Sequence, residues 1–202
     1  MRKIILASKS PRRSQLLQWA EVPFEVITSD TEEDYPDGLT FEEVAVHIAK
    51  VKAFAVSKIL QLRETSNDEP LNNGIKDLPV LAADTIVVLN ERIIGKPKNK
   101  KEAILTLQIL SGKIHQVITG VCILFREEEI FFSESTLVEF HSLTDKQIEY
   151  YVEKYKPYDK AGAYAIQEWI GVVGIKSIQG DYYNVMGLPV SRVIMEVNLL
   201  ES

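Results

Sequence analysis

The run Lys3-Ile-Ile-Leu-Ala7 is apolar, too short for a helix, and followed almost at once by a helix start. A buried strand suits it. Ser10 is a favourable N-cap, and Pro11 suits the first helical position, where its missing N–H would go unpaired anyway. Leu16, Leu17 and Ala20 give the ensuing helix an apolar face. A strand, a tight turn and a helix at the start of the chain point to layered α/β architecture.

Arg12 and Arg13 fall in the first turn of that helix. The helix dipole is positive there and disfavours cations. Unpaired backbone N–H groups already point out of the same end. Two guanidinium groups added to them make an anion site able to grip phosphate oxygens in pairs. The other reading of the pair is two solvated surface arginines.

Val22 to Thr28 reads as a second strand, and the acidic loop after it carries Asp30, Glu32, Glu33, Asp34 and Asp37. Such a loop is either solvated or a holder of a hard cation. Thr40 and Glu43 form a capping box. The helix they open shows Val44, Ile48, Val51, Ala55, Ile59 and Leu62 at helical spacing, with Lys50 and Lys52 flanking the stripe; most lysines in such places are solvated, so taken alone they say little. Residues 63–78 read as an exposed loop.

Pro79 to Leu89 is a strongly apolar strand interrupted by Asp84 and Thr85. A carboxylate among Ala82, Ala83, Ile86 and Val87 is costly to bury unless it is paired or bound to metal. It is either a site residue or a satisfied core aspartate. Glu91 to Pro97 reads as turn, short strand and turn; it lacks the spacing of a Walker loop, yet Lys96 beside Gly95 suits a phosphate as a point charge. Asn99 caps a helix with Glu102 three residues on, and Ala103, Leu107 and Leu110 face inward. Ile114–Phe125 and Ile130–Leu143 read as an antiparallel hairpin. Thr144 and Gln147 form another capping box. The segment from Pro157 to Gln167 reads as loop-like and then extended, 171–178 as a strand, 180–189 as an irregular polar segment and 189–200 as a final helix with Val193, Val197 and Leu200 on one face.

Early alternation of strands and helices with a late hairpin argues an α/β fold with a mixed sheet, in one domain over residues 1–202. The net charge is −6, which speaks against a general nucleic-acid binder. The one cysteine, Cys122, lies in an apolar run and reads as a core residue; a single cysteine fits a reducing compartment. No apolar stretch approaches the length of a membrane span, and the expected location is cytoplasmic. His115 and His141 have no third ligand at a recognisable spacing, which argues against zinc. Cations and carboxylates gathered in one cleft would suit a nucleotide polyphosphate with a divalent metal.

Seven segments, taken together, resemble the motifs of the Maf family of nucleoside triphosphate pyrophosphatases. They are Ala7-Ser8-Lys9-Ser10-Pro11-Arg12-Arg13, Ala83-Asp84-Thr85, Gly95-Lys96-Pro97, Ser111-Gly112 with His115, Thr119-Gly120, Asp159-Lys160-Ala161-Gly162-Ala163-Tyr164 with Gln167, and Gly180-Asp181 through Pro189. The resemblance implies an inosine-triphosphatase-like α/β fold, an elongated mixed sheet flanked by helices in two lobes around a central cleft. It implies hydrolysis of a nucleoside triphosphate to monophosphate and pyrophosphate with Mg²⁺ or Mn²⁺, and a homodimer. The family's catalytic proton acceptor falls on Asp84, which is also a possible metal ligand. Its phosphate-binding and acidic positions fall on Ser8, Arg13, Glu33, Lys52 and Lys96. Three specificity positions fall on Arg12, Thr85 and Gln167, the combination of the subgroup acting on dTTP and UTP. The Gln167 amide both donates and accepts, matching O4 and N3–H of uracil or thymine. The family's other name, septum formation inhibitor, carries a rival expectation: a nucleotide-binding regulator of cell division with incidental hydrolysis.

Overall fold

A computed structural model describes residues 2–65 and 77–200. The N-terminal expectation holds: β1 (Ile4–Leu6) is fully buried and α1 (Pro11–Trp19) starts with Pro11 at its first position. Ser10 occupies the N-cap position without a side-chain capping bond, and Ala20 lies just beyond the helix as its C-cap. The other elements, in chain order, are β2 (Phe24–Val26), α2 (Phe41–Thr65), β3 (Val80–Leu89), β4 (Arg92–Ile94), α3 (Lys100–Leu110), β5 (Ile114–Phe125), β6 (Glu128–Phe140), α4 (Asp145–Tyr155), α5 (Trp169–Gly174), β7 (Ile175–Gln179), α6 (Tyr182–Met186) and α7 (Val190–Leu199).

The seven strands form one mixed sheet in the order β2-β1-β3-β5-β6-β7, with β4 paired to β3 off that path. β1 runs parallel to both β2 and β3, whereas β4 is antiparallel to β3 and β7 antiparallel to β6. The α/β mixed-sheet expectation is met. The chain divides into two compact units, the first made of Met1–Asp84, Thr119–Ser133 and Gly187–Ser202, the second of Thr85–Ile118 and Glu134–Met186.

In the first unit Ile5, Ala7, Ile27, Val80, Ala82, Cys122 and Leu124 pack with Ala49, Ala53, Val56 and Leu60 of α2. Burial pushes the Cys122 thiol up to about 12, which makes it an inert core residue. Small residues bring α2 very close to β5. A Cβ built on Gly120 would stand 2.2 Å from the carbonyl carbon of Ala45. In the second unit the buried residues of α3 (Ala103, Leu107, Leu110) and of α4 (Ile148, Tyr151, Val152) belong to two helices that pack together. His115, Phe140 and Tyr164 form an edge-on ring cluster with centroids 5.0–5.4 Å apart.

The structure corrects four readings. The buried stripe of α2 begins at Val44 and Ile48 as expected, then follows Ala49, Ala53, Val56 and Leu60; Leu62 is exposed. Helical spacing admits either of two adjacent stripes, and close helix–sheet packing selects the one that carries Ala45, Ala49 and Ala53. The helix also continues through Thr65, where a loop was expected from 63; residues 66–76 of that expected loop lie outside the described residues. The segment 171–174 is the end of α5 and not strand, so β7 begins only at Ile175. Its β-branched residues favour strand locally, and tertiary context overrides them. The segment 180–189 contains the short helix α6.

Candidate active site

The turn between β1 and α1 holds the first part of the site. Ser8 and Arg13 are both 8% exposed. The Ser8 hydroxyl oxygen accepts from the Ser10 backbone N–H (3.2 Å) and from Arg13 Nη1 (3.0 Å). Arg13 Nε donates to the Gly187 carbonyl at 2.7 Å. Arg13 is therefore no solvated surface residue: it is anchored at two points of its guanidinium. Burial is the main force lowering its pKa, with Arg12 acting in the same direction and the charges of Asp84 and Glu33 opposing. Arg12 is half-buried on the same turn.

The second part comes from β3 and α2. Asp84 is 7% exposed within the buried run of β3. Lys52 of α2 donates to Asp84 Oδ1 at 2.6 Å and to Glu33 Oε1 at 2.9 Å. Lys52, on which helical spacing alone says little, is thus paired, and so is the buried carboxylate of the strand. Lys50 is not simply solvated either; its Nζ lies 3.2 Å from the ring centroid of Phe131. Ser8, Arg13, Glu33, Lys52 and Asp84 thus form one linked constellation in the first unit.

Thr85, Lys96 and Gln167 belong to the second unit. Lys96 is exposed on the turn after β4, and Gly95 beside it accepts a hydrogen bond from the Gly162 N–H at 3.3 Å. Gly162, at φ +69°, sits in a 3-10 turn (Ala161–Ala163) where a Cβ would meet Val87 at 3.1 Å. Gln167 is half-buried, and its side-chain carbonyl oxygen is buried with no hydrogen-bond partner among the described residues. Such an orphan in a native site calls for an explanation.

Sequence reasoning missed a network near Gln167. Lys160 is 8% exposed and pairs with Asp159 (2.8 Å) and Glu168 (3.7 Å). The Tyr151 hydroxyl donates to Glu168 and accepts from the Ala165 N–H at 3.1 Å. The clue was a charged residue inside a run of small ones, Lys160 before Ala161-Gly162-Ala163.

A family model described as "Maf-like protein" matches residues 3–200. The chain belongs to the Maf family. Maf relatives in curated collections include a protein of Cytophaga hutchinsonii, 48% identical over 96% of this chain and 82% of its own length. Another, from Phocaeicola vulgatus, is 47% identical over 98% of this chain and 96% of its own length. A third, from Parabacteroides distasonis, is 45% identical over 96% and 94%. All three are named dTTP/UTP pyrophosphatase. Among solved structures, the Staphylococcus aureus Ham1 protein matches with a TM-score of 0.41 and 15% identity, over 69% of this chain and 72% of that one. No helix among the described residues is long and apolar enough to cross a membrane.

Proposed function

We propose that this Maf protein hydrolyses dTTP and UTP to the monophosphate and pyrophosphate. The relatives' shared name supports the substrate class. The observation that carries the chemistry is the Lys52 ammonium shared by Asp84 and Glu33, with the buried Arg13 guanidinium in the field of both carboxylates.

In this reading Arg12, Arg13, Lys52 and Lys96 hold the triphosphate, and Ser8 fixes the Arg13 fork. Asp84 orients a water and takes its proton while the water oxygen bonds to the α-phosphorus. The bond from that phosphorus to the bridging oxygen breaks, and the pyrophosphate leaves with its charge held by the cations. Thr85 and Gln167 face the base, and the orphaned Gln167 oxygen is the acceptor for N3–H.

Glu33 and Asp84 are the residues suited to a divalent cation. They already offer two carboxylate oxygens to one positive centre, and oxygen donors suit Mg²⁺ or Mn²⁺. Among the described residues no three His, Cys, Asp or Glu side chains are grouped so that they could hold a metal ion, so phosphate oxygens and water would complete the shell. Bound there, the metal would offset phosphate charge. A cytoplasmic location and a nucleotide rather than nucleic-acid partner belong to the same reading, supported by the single cysteine and the net charge of −6. The homodimer rests on the family resemblance.

The test is pyrophosphate release from dTTP, UTP, 7-methyl-GTP and ATP, with Mg²⁺ and with Mn²⁺. Wild type should turn over dTTP and UTP in preference to the other two. Asp84→Asn should lose about 10²–10⁴-fold in kcat, the scale of a lost general base. Near-normal turnover by the variant would remove Asp84 from the mechanism. Tight binding without turnover in wild type would favour the nucleotide-binding regulator.

A further inference from the structure

Gln167 bears the base-reading amide in the reading above, yet its own oxygen is unheld. The backbone that carries it is set by its neighbours in the chain. Those neighbours are tied unusually well. Two positions before it, the Ala165 N–H donates to the Tyr151 hydroxyl. Immediately after it, the Glu168 carboxylate accepts from that same hydroxyl through its other oxygen face and pairs with Lys160. One Tyr151 oxygen thus grips both flanks of Gln167.

Each part of this grip is rigid. Tyr151 is fully buried on α4, and its ring stacks on Tyr155 at 5.0 Å between centroids. The backbone between the tie points is closed by the Glu168 N–H bonding to the Ala165 carbonyl at 3.1 Å. Gly171 closes the far side. A Cβ there would stand 1.7 Å from the Ile166 carbonyl oxygen, so only glycine lets α5 tuck beneath the residue preceding Gln167. Lys160 is buried among its acidic partners, so its charge holds Glu168 in place instead of meeting solvent.

We infer that Tyr151, Glu168 and Lys160 are positioning residues that aim the Gln167 amide and so set pyrimidine discrimination. This rests on the reading that Gln167 recognises the base. A uracil ring is distinguished from cytosine at two adjacent atoms, O4 against an amino group and N3–H against a bare N3. Discrimination of that kind needs an amide held at a fixed angle. Tyr151→Phe keeps the ring and removes the shared oxygen, and with it the tie of Tyr151 to both flanks at once.

The experiment measures kcat/KM for UTP and for CTP, which share sugar and triphosphate. The proteins are wild type, Gln167→Ala, Tyr151→Phe, Glu168→Gln and the Tyr151→Phe/Gln167→Ala double variant. Tyr151→Phe should lower the UTP-to-CTP ratio about three- to tenfold, the worth of one hydrogen bond. The double variant should show the same ratio as Gln167→Ala alone, because Tyr151 acts only through the amide. A wild-type ratio near one, or a ratio that Gln167→Ala leaves unchanged, would overturn base reading by Gln167 and the clamp with it. A ratio that collapses in Gln167→Ala but stays at the wild-type value in Tyr151→Phe and Glu168→Gln would overturn the clamp alone. Equal losses on both nucleotides, or a further fall in the double variant, would also overturn it by assigning Tyr151 a merely structural part. If Tyr151→Phe fails to fold, Glu168→Gln carries the decision on the same ratio.

Discussion

At the scale of single residues, the site depends on charges that are held rather than merely present. Arg13 shows this best. Its guanidinium reaches Ser8 with one nitrogen and Gly187 with another. A lysine ammonium is a point charge on a flexible stem and does not reproduce that planar fork. Arg13→Lys should therefore cost about 1–3 kcal/mol of stability, the range for losing a buried hydrogen bond from a charged donor. It should also lower kcat/KM for UTP, because the retained charge is no longer aimed. Urea unfolding and steady-state kinetics on the one variant check both, and a protein unchanged in both would show that charge alone suffices. The pair of arginines breaks the dipole rule at the start of α1, and no acidic residue in the first turn offsets it. The offset comes from distant sequence, through Asp84 and Glu33.

At the scale of elements, close packing of α2 on β5 is the feature with the least tolerance. Ala45 and Val46 present backbone, not side chains, to Gly120. Gly120→Ala should destabilise at the upper end of the ~1–3 kcal/mol that overpacking costs, read as a lower urea midpoint with an unchanged slope. Wild-type stability in that variant would mean that α2 moves away freely. The same contact explains what was legible in the sequence. Local signals were read well: the Thr40–Glu43 and Thr144–Gln147 capping boxes and the Asn99 cap are all formed. These depend on residues within one helical turn. The lower half of the α2 stripe was misread because burial there follows from what it packs against, Ile5, Val80, Cys122 and Leu124, which lie far off in sequence. α5 was misread because Val172 and Val173 favour strand locally, whereas Gly171 gives a helix room against the Ile166 carbonyl. The charged residues of the site were nameable from motif order. Lys52 as the partner of Asp84, and Tyr151 as the tie on both sides of Gln167, join residues far apart in sequence, and no local pattern encodes those pairings.

At the scale of the whole molecule, the acid side of its stability should carry the mark of one buried imidazole. His115 is 2% exposed, shares a 2.7 Å hydrogen bond with the Tyr164 hydroxyl, and is enclosed by Phe140 and Tyr164. Burial lowers its pKa from 6.5 to about 4 and drives that of Tyr164 upward. Both groups are thus neutral in the folded state across the physiological range. The unfolded chain begins to protonate His115 near pH 6.5, whereas the folded chain resists until about 4. The unfolded state binds more protons throughout that window, so stability is full above 6.5, falls as pH drops towards 4, and loses nothing further to this group below that. A shift of this size corresponds to about 3 kcal/mol at the plateau. His115→Gln keeps a polar side chain at the site and removes the titration. Urea unfolding at pH 7.0, 5.5 and 4.0 should show wild type losing about 3 kcal/mol more than the variant over the series, with carboxylate titrations common to both cancelling in the difference. Parallel curves would mean that the His115 pocket admits a proton as readily as water does, and that the ring cluster opens well before the protein unfolds.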